Sequence, residues 1–134
     1  MISQTRFARS RRRFADERGS ATLSLAVVFP VVLLLIFTAV QAALYFYARN
    51  AAHTAAEEGL RVAQAEDGTS SAGIARAQDL IQRTDALDGA NVTSTRGQGT
   101  TAVTVAGTVP TVLPGFQLSV TQTATGPTER VTTP

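Results

Sequence analysis

The sequence contains no cysteine, no tryptophan and no lysine, and it has a single histidine. The absence of cysteine excludes disulfides, thiolate zinc sites, cysteine nucleophiles and lipid attachment through a cysteine beside a membrane segment. The histidine, His53, lies four residues before Glu57 among good helix formers, which favours a solvated i,i+4 pair over a metal or acid–base role. Because the titratable residues form no cluster in the sequence, we predict no catalytic residues, no cofactor and no metal, and a protein that is not an enzyme.

Charge is also missing from one long stretch, since no charged residue occurs between Arg18 and Arg49. Within that stretch Leu25 to Tyr47 is almost entirely apolar, and a helix of this length spans a hydrocarbon core of about 30 Å. We therefore predict a transmembrane helix over residues 20–48.

Basic residues are concentrated before this helix, where residues 1–20 carry six arginines against Asp16 and Glu17. Positive charge beside a span is typical of the cytoplasmic side. We predict a cytoplasmic arginine-rich leader over residues 1–19, an extracytoplasmic C-terminus, and no nucleic-acid partner, because membrane topology already accounts for the arginines.

The run Ser10-Arg11-Arg12-Arg13-Phe14 supports an alternative, because it looks like the core of a twin-arginine export signal. In that case the chain is an exported soluble binding protein that loses its leader. The apolar run is, however, about twice the 7 to 15 residues usual in a signal, and a helical pattern continues beyond it.

Residues 49–89 are predicted to be an extracytoplasmic helical region. The first helix continues to about Ala65, and a second helix begins at a cap formed by Ser70 or Ser71 and runs to about Leu87, with Gly89 as its stop. Its apolar face comprises Ile74, Ala77, Leu80, Ile81 and Leu87.

Residues 90–134 are rich in threonine and valine, and apolar residues alternate with polar ones in two segments, 103–109 and 116–121. A weaker strand over 92–96 precedes them, Pro110 and Pro114-Gly115 form a loop, and a frayed tail starts at Gly126-Pro127. The predicted fold class is α+β: a long N-terminal helix, a second helix and a small antiparallel three-stranded meander.

Small or polar residues recur at three- and four-residue spacing along one face of the long helix. Alanine lets another helix backbone approach closely, and a glutamine inside a membrane favours a protein neighbour over lipid. We therefore predict that this face packs against another helix through Thr38, Gln41, Tyr45, Ala48, Ala52 and Ala56.

A family resemblance is carried by the segment RGSATLSLAVVFPVVLLLIFTAVQAALYFYARNAAHTAAEEGLRVA, which follows the arginine-rich start and precedes the threonine-rich part. A glycine after basic residues, an apolar helix with the early Pro30, and Glu58-Gly59-x-Arg61 together resemble the TadE-like family, minor pseudopilins of the tight-adherence (Flp) pilus assembly system. The resemblance is strong over residues 18–63.

This resemblance implies a pilin-like fold in the bacterial cytoplasmic membrane and a non-enzymatic role as a minor pseudopilin or assembly factor of a Tad-type pilus or related secretion apparatus. It implies other pilins or pseudopilins and pilus assembly proteins as partners, together with a prepilin peptidase if the leader is cleaved. By position, Gly19 precedes the cut and Ser20 becomes the first mature residue. Ser24 departs from the family, which usually has glutamate there.

The charge distribution generates a topological prediction. A reporter fused after Pro134 is expected to be extracytoplasmic, because the arginines lie almost entirely before the span. The same reporter fused before Met1 is expected to remain cytoplasmic and serves as the control. Cytoplasmic activity of the C-terminal fusion would rule out this orientation.

Overall fold

The computed structural model describes the chain from Ala8 to Arg130, with side chains from Gly19 onward. This part of the chain forms two helices and three strands: α1 (Ala8–Gln64), α2 (Ser70–Thr84), β1 (Asp88–Arg96), β2 (Thr100–Val109) and β3 (Leu118–Pro127). The predicted α+β class, with a long N-terminal helix, a second helix and a three-stranded antiparallel sheet, is confirmed. The chain divides into two compact units, one ending at Thr38 and one starting at Ala39.

The first unit is apolar helix without a core of its own. Every residue from Gly19 to Val40 is exposed, including the large side chains from Leu23 onward. At about 1.5 Å per residue this stretch is about 33 Å long, enough to cross a hydrocarbon core. Pro30 is interior to α1, because the helix begins as far upstream as Ala8.

The second unit combines the C-terminal part of α1 with α2 and the sheet. Helix α1 ends at Gln64, and the chain turns through a hydrogen bond from Gly68 N to Ala65 O of 2.8 Å. Arg96 supports this end from β1, since its Nη1 donates to Ala65 O at 3.0 Å and also contacts the carbonyl oxygens of Ala63 and Gly68. The carbonyl of Ala63 belongs to the last turn of α1, where carbonyls lack a partner within the helix, so the guanidinium stabilises the helix end.

Helix α2 differs from the prediction at both ends. Its N-cap is Thr69, not Ser70 or Ser71, because the Thr69 hydroxyl accepts from Ala72 N at 3.1 Å. The helix stops at Thr84, where Asp85 adopts a left-handed conformation with φ 49°, so Leu87 lies beyond it.

Gly89 is not the stop of α2, which was the prediction; it lies in β1. Its φ of +59° accompanies a register shift between Asp88 and Asn91, where β1 pairs with β2. A bulge of this kind needs a residue that tolerates positive φ, and glycine does so without steric cost.

The sheet is antiparallel in the order β1-β2-β3, so β2 is central. Val103 and Val105 point into the core and are fully buried, which confirms the predicted two-residue period of β2. The three strands are longer than the predicted segments.

The third strand begins two residues later than predicted, at Leu118 and not at Phe116. Phe116 lies in the loop and is 62% exposed, whereas β3 runs from Leu118 to Pro127 and pairs with β2 throughout. The predicted fraying at Gly126-Pro127 is also wrong, because Thr128 N donates to Gly99 O at 3.2 Å and Glu129 N donates to Gln64 O at 2.9 Å. Backbone hydrogen bonds therefore hold the chain to residue 129.

Helices α1 and α2 approach each other at glycines. A Cβ at Gly59 would lie 2.8 Å from the carbonyl oxygen of Gly73, 2.9 Å from the Cβ of Ala77 and 3.2 Å from a methyl group of Val103. A Cβ at Gly73 would in turn lie 2.6 Å from the Cβ of Ala63. Three of these four neighbours are a backbone oxygen or the Cβ of an alanine and cannot rotate away, so only glycine fits at the crossing.

This geometry predicts that Gly59→Ala destabilises the protein. Overpacking costs about 1–3 kcal/mol, and the higher helix propensity of alanine offsets about 1 kcal/mol of that. Thermal unfolding of the full chain in detergent, followed by circular dichroism, should show a lower midpoint. The matched control is Gly99→Ala, because a Cβ at Gly99 meets nothing within 4 Å. Equal midpoints for the two variants would contradict the proposed constraint.

Candidate functional site

The predicted processing segment lies in α1. Gly19 and Ser20 are helical and exposed, as is Ser24. A Cβ at Gly19 would meet nothing within 4 Å, so packing within the chain does not require glycine there. The six leader arginines (Arg6, Arg9, Arg11, Arg12, Arg13 and Arg18) lie where no side chains are described.

The first polar residue of the predicted packing face, Thr38, is satisfied within its own helix. Its hydroxyl donates to Leu34 O at 2.8 Å, which is the common way for threonine to avoid an unpaired donor in an apolar helix. Thr38 therefore needs no partner for its hydroxyl.

Gln41 is the second polar residue of that face, and the structure assigns it a specific role. Its side chain is 6% exposed and lies against the β2–β3 loop (residues 110–117). Oε1 accepts from Val112 N at 3.0 Å and from the Thr111 hydroxyl at 3.1 Å, and Nε2 donates to Pro110 O at 3.4 Å. A residue predicted to need a protein neighbour thus finds that neighbour in its own chain, and it attaches the loop to α1.

Three aromatic residues, Tyr45, Phe46 and Tyr47, follow Gln41 on α1. Tyr45 is half-buried and packs edge-on against Phe46, with ring centroids 5.8 Å apart. Tyr47 is half-exposed, and its hydroxyl donates to Thr84 O at 3.1 Å, which satisfies one of the last carbonyls of α2. The hydroxyl of Tyr47 therefore connects α1 to the end of α2.

The alanines of the predicted face have an intramolecular use. Ala48, Ala52 and Ala56 are each 0% exposed and belong to the core shared with α2 and the sheet. Their small side chains permit the close approach that was predicted, but the elements that approach belong to the same domain. These three alanines are therefore buried within their own chain, and packing of this face against a helix of another protein stays a prediction.

The burial of this face means that only part of the predicted span, residues 20–48, is exposed on all sides. Gln41 and Ala48 are buried against the domain, so one face of α1 is already covered between them. The stretch exposed on all sides ends at Val40.

Charged side chains of the helices lie on the solvent side. His53 Nε2 is 3.3 Å from Glu57 Oε1, and both side chains are more than half exposed, as predicted for a solvated pair. Glu58 lies between Arg61, at 3.2 Å, and Arg76 of α2, at 3.6 Å. In the part of the chain with described side chains, no three His, Cys, Asp or Glu residues come together in a way that suits a metal ion.

Two contacts of this region were not predicted from the sequence. The contact of Arg96 with the end of α1 joins residues about thirty positions apart, and that of Gln41 with the loop joins residues about seventy apart. The sequence did hold one signal for Arg96, because it is the only charged residue between Asp88 and Glu129. An isolated charge in an otherwise uncharged strand region indicates a specific partner.

Fold and site together define a class of protein: one long apolar N-terminal helix that fits a single-pass membrane protein, with a small α+β domain built on the same helix. The family model described as TadE-like protein matches residues 19–61, so the resemblance to the TadE-like family is confirmed over this segment. No curated protein and no solved structure matches the chain. The family indicates involvement in Tad pilus assembly and association with that machinery.

The contacts of Gln41 predict the effect of Gln41→Leu. Leucine keeps most of the side-chain volume but leaves Val112 N without its acceptor, which costs about 1–3 kcal/mol for a buried group. Hydrogen exchange of the full chain should show faster exchange of the Val112 amide and a lower overall stability. The control is Gln78→Leu on the exposed surface of α2, where little change is expected. Unchanged exchange at Val112 in Gln41→Leu would show that the glutamine does not hold the loop.

Proposed function

We propose that this protein is a non-enzymatic minor pseudopilin or assembly factor of a Tad-type pilus or a related secretion apparatus. The single observation that carries the proposal is the extent of the family match. Residues 19–61 comprise both the exposed apolar stretch of α1 and nearly all of the buried small-residue face on which the domain is built.

The mechanism we propose has two parts. Residues 19–40 anchor the chain in the bacterial cytoplasmic membrane, with the N-terminus cytoplasmic, and pack laterally against the helices of other pilins or pseudopilins. The domain from Gln41 onward is displayed outside the membrane. Because the domain covers Ala48, Ala52 and Ala56, lateral packing falls to the exposed stretch before Gln41, where side chains such as Phe37 and Thr38 are accessible.

The proposal also includes processing of the chain by a prepilin peptidase at Gly19. Glycine before small residues has a low steric demand and a low helix propensity, which suits a backbone that must be extended in a protease. The open space at Gly19 supports this, because a Cβ built there would meet nothing within 4 Å and no packing in the described part of the chain requires glycine. Ser24 lacks the carboxylate usual at this position in the family, and a serine hydroxyl is readily accommodated in a helix by bonding to the backbone.

The alternative of an exported soluble protein is separated from this proposal by fractionation. A chain anchored by residues 19–40 stays with the bilayer after an alkaline wash, whereas a protein released after twin-arginine processing is recovered in the soluble fraction.

The cleavage hypothesis is tested by coexpressing the chain with its cognate prepilin peptidase and measuring the intact mass. We expect loss of residues 1–19 and a mature N-terminus at Ser20 in the native sequence, and an uncut chain in Gly19→Leu, because a branched side chain blocks entry of the backbone. Gly99→Leu, which changes an exposed glycine far from the cut, is expected to be processed normally. An intact leader in all three samples would defeat the cleavage proposal.

A further inference from the structure

The β2–β3 loop exposes large apolar side chains. Phe116 is 62% exposed and Val112 is 43% exposed, while Leu113 is half-buried. The loop is shaped by Pro114 and by Gly115, which has a φ of +84°. Apolar side chains grouped on a structured loop indicate a surface that contacts something less polar than water.

The position of the loop in the domain indicates what this apolar surface contacts. Gln41, which holds the loop through Thr111 and Val112, lies two residues after Ala39, the first residue of the second unit. The loop therefore lies at the same end of the second unit as Gln41, close in sequence to the residue at which that unit begins.

The β2–β3 loop itself carries no charge, whereas the exposed Asp85 and Asp88 lie just before and at the start of β1, beside the end of β2 from which the loop leaves. No charged residue occurs from Gly97 to Thr128, which includes the whole loop and both strands beside it. The opposite end of the sheet carries Arg96 and Glu129. Asp88 of the neighbouring strand pairs with Thr108 and is exposed, so the depth to which this end enters a membrane is limited to the interface.

Two aromatic residues on α1 lie just beyond Gln41. Phe46 is 58% exposed and the ring of Tyr47 is 52% exposed. Aromatic side chains of this kind are enriched where a membrane protein passes from hydrocarbon to water. Phe116 supplies another ring at the same end of the domain.

We propose that the β2–β3 loop is a second membrane-contact site, in which Val112 and Phe116 lie in the outer interface of the bilayer that α1 spans. The proposal rests on the proposed membrane anchoring of residues 19–40. Its consequence is orientational: one spanning helix alone leaves the tilt of the domain over the bilayer free, whereas a second contact limits that tilt and with it which face of the domain is turned to the membrane.

The absence of tryptophan from the chain makes a direct test possible. Full-length variants with a single tryptophan are reconstituted into phosphatidylcholine vesicles that contain lipids brominated on their acyl chains, which quench tryptophan on contact. Phe116→Trp reports on the loop and keeps an aromatic ring there. Gln98→Trp, in the exposed turn between β1 and β2, is the matched control at the far end of the sheet, and Leu34→Trp reports on the anchor.

We expect strong quenching and a blue-shifted emission for Leu34→Trp, clear but weaker quenching for Phe116→Trp, and none for Gln98→Trp. Quenching of Leu34→Trp with Phe116→Trp as unquenched as Gln98→Trp overturns the loop contact while the anchor stands. Lack of quenching at both Leu34→Trp and Phe116→Trp overturns the anchor together with the loop contact. The double variant Phe116→Trp/Val112→Ser should show weaker tryptophan quenching than Phe116→Trp alone. Unchanged quenching would contradict the proposal that apolar side chains of the loop hold it in the membrane interface.

Discussion

The close contact at Gly59 is the constraint on which the domain depends. At this point the backbone of α1 meets the backbone of α2 at Gly73 and a side chain of the central strand at Val103. Because interiors are packed at crystal-like density, one extra methyl group here would have to displace a helix or a strand. The neighbouring alanines extend the same close approach along α1, so a small domain forms a dense core without bulky residues on its longest helix.

Helix α1 therefore carries two surfaces with opposite chemistry. From Leu25 to Val40 its side chains are mostly large and apolar, and all are exposed, whereas from Gln41 onward one face is buried in the domain and consists largely of small residues. The first surface suits lipid and lateral helix contacts, and the second suits close intramolecular packing. A single helix can thus anchor the chain and form part of the core of the domain.

Gln41 marks the change from one surface to the other. Its amide satisfies backbone groups of the β2–β3 loop, so the loop that carries the exposed Val112 and Phe116 is attached to α1 at Gln41. An amide in this position is stable only because its partners come from the same chain, since an unpaired buried amide is costly. The hydrogen bonds at Gln41 therefore fix the β2–β3 loop to the helix within the domain.

Periodicity and composition determined the element types, because they depend on neighbours close in sequence. The uncharged run predicted the exposed apolar helix, the alternation of Val103 and Val105 predicted a strand with one buried face, and Glu58-Gly59-x-Arg61 indicated the family. The ends of α2 and the start of β3 were missed, because the left-handed turn at Asp85 and the exposure of Phe116 depend on which groups lie nearby in space. Only the tertiary structure decided what covers the alanines of α1 and what Gln41 and Arg96 bind, because those partners are separated by tens of residues and the spacing of small residues is the same for either kind of neighbour.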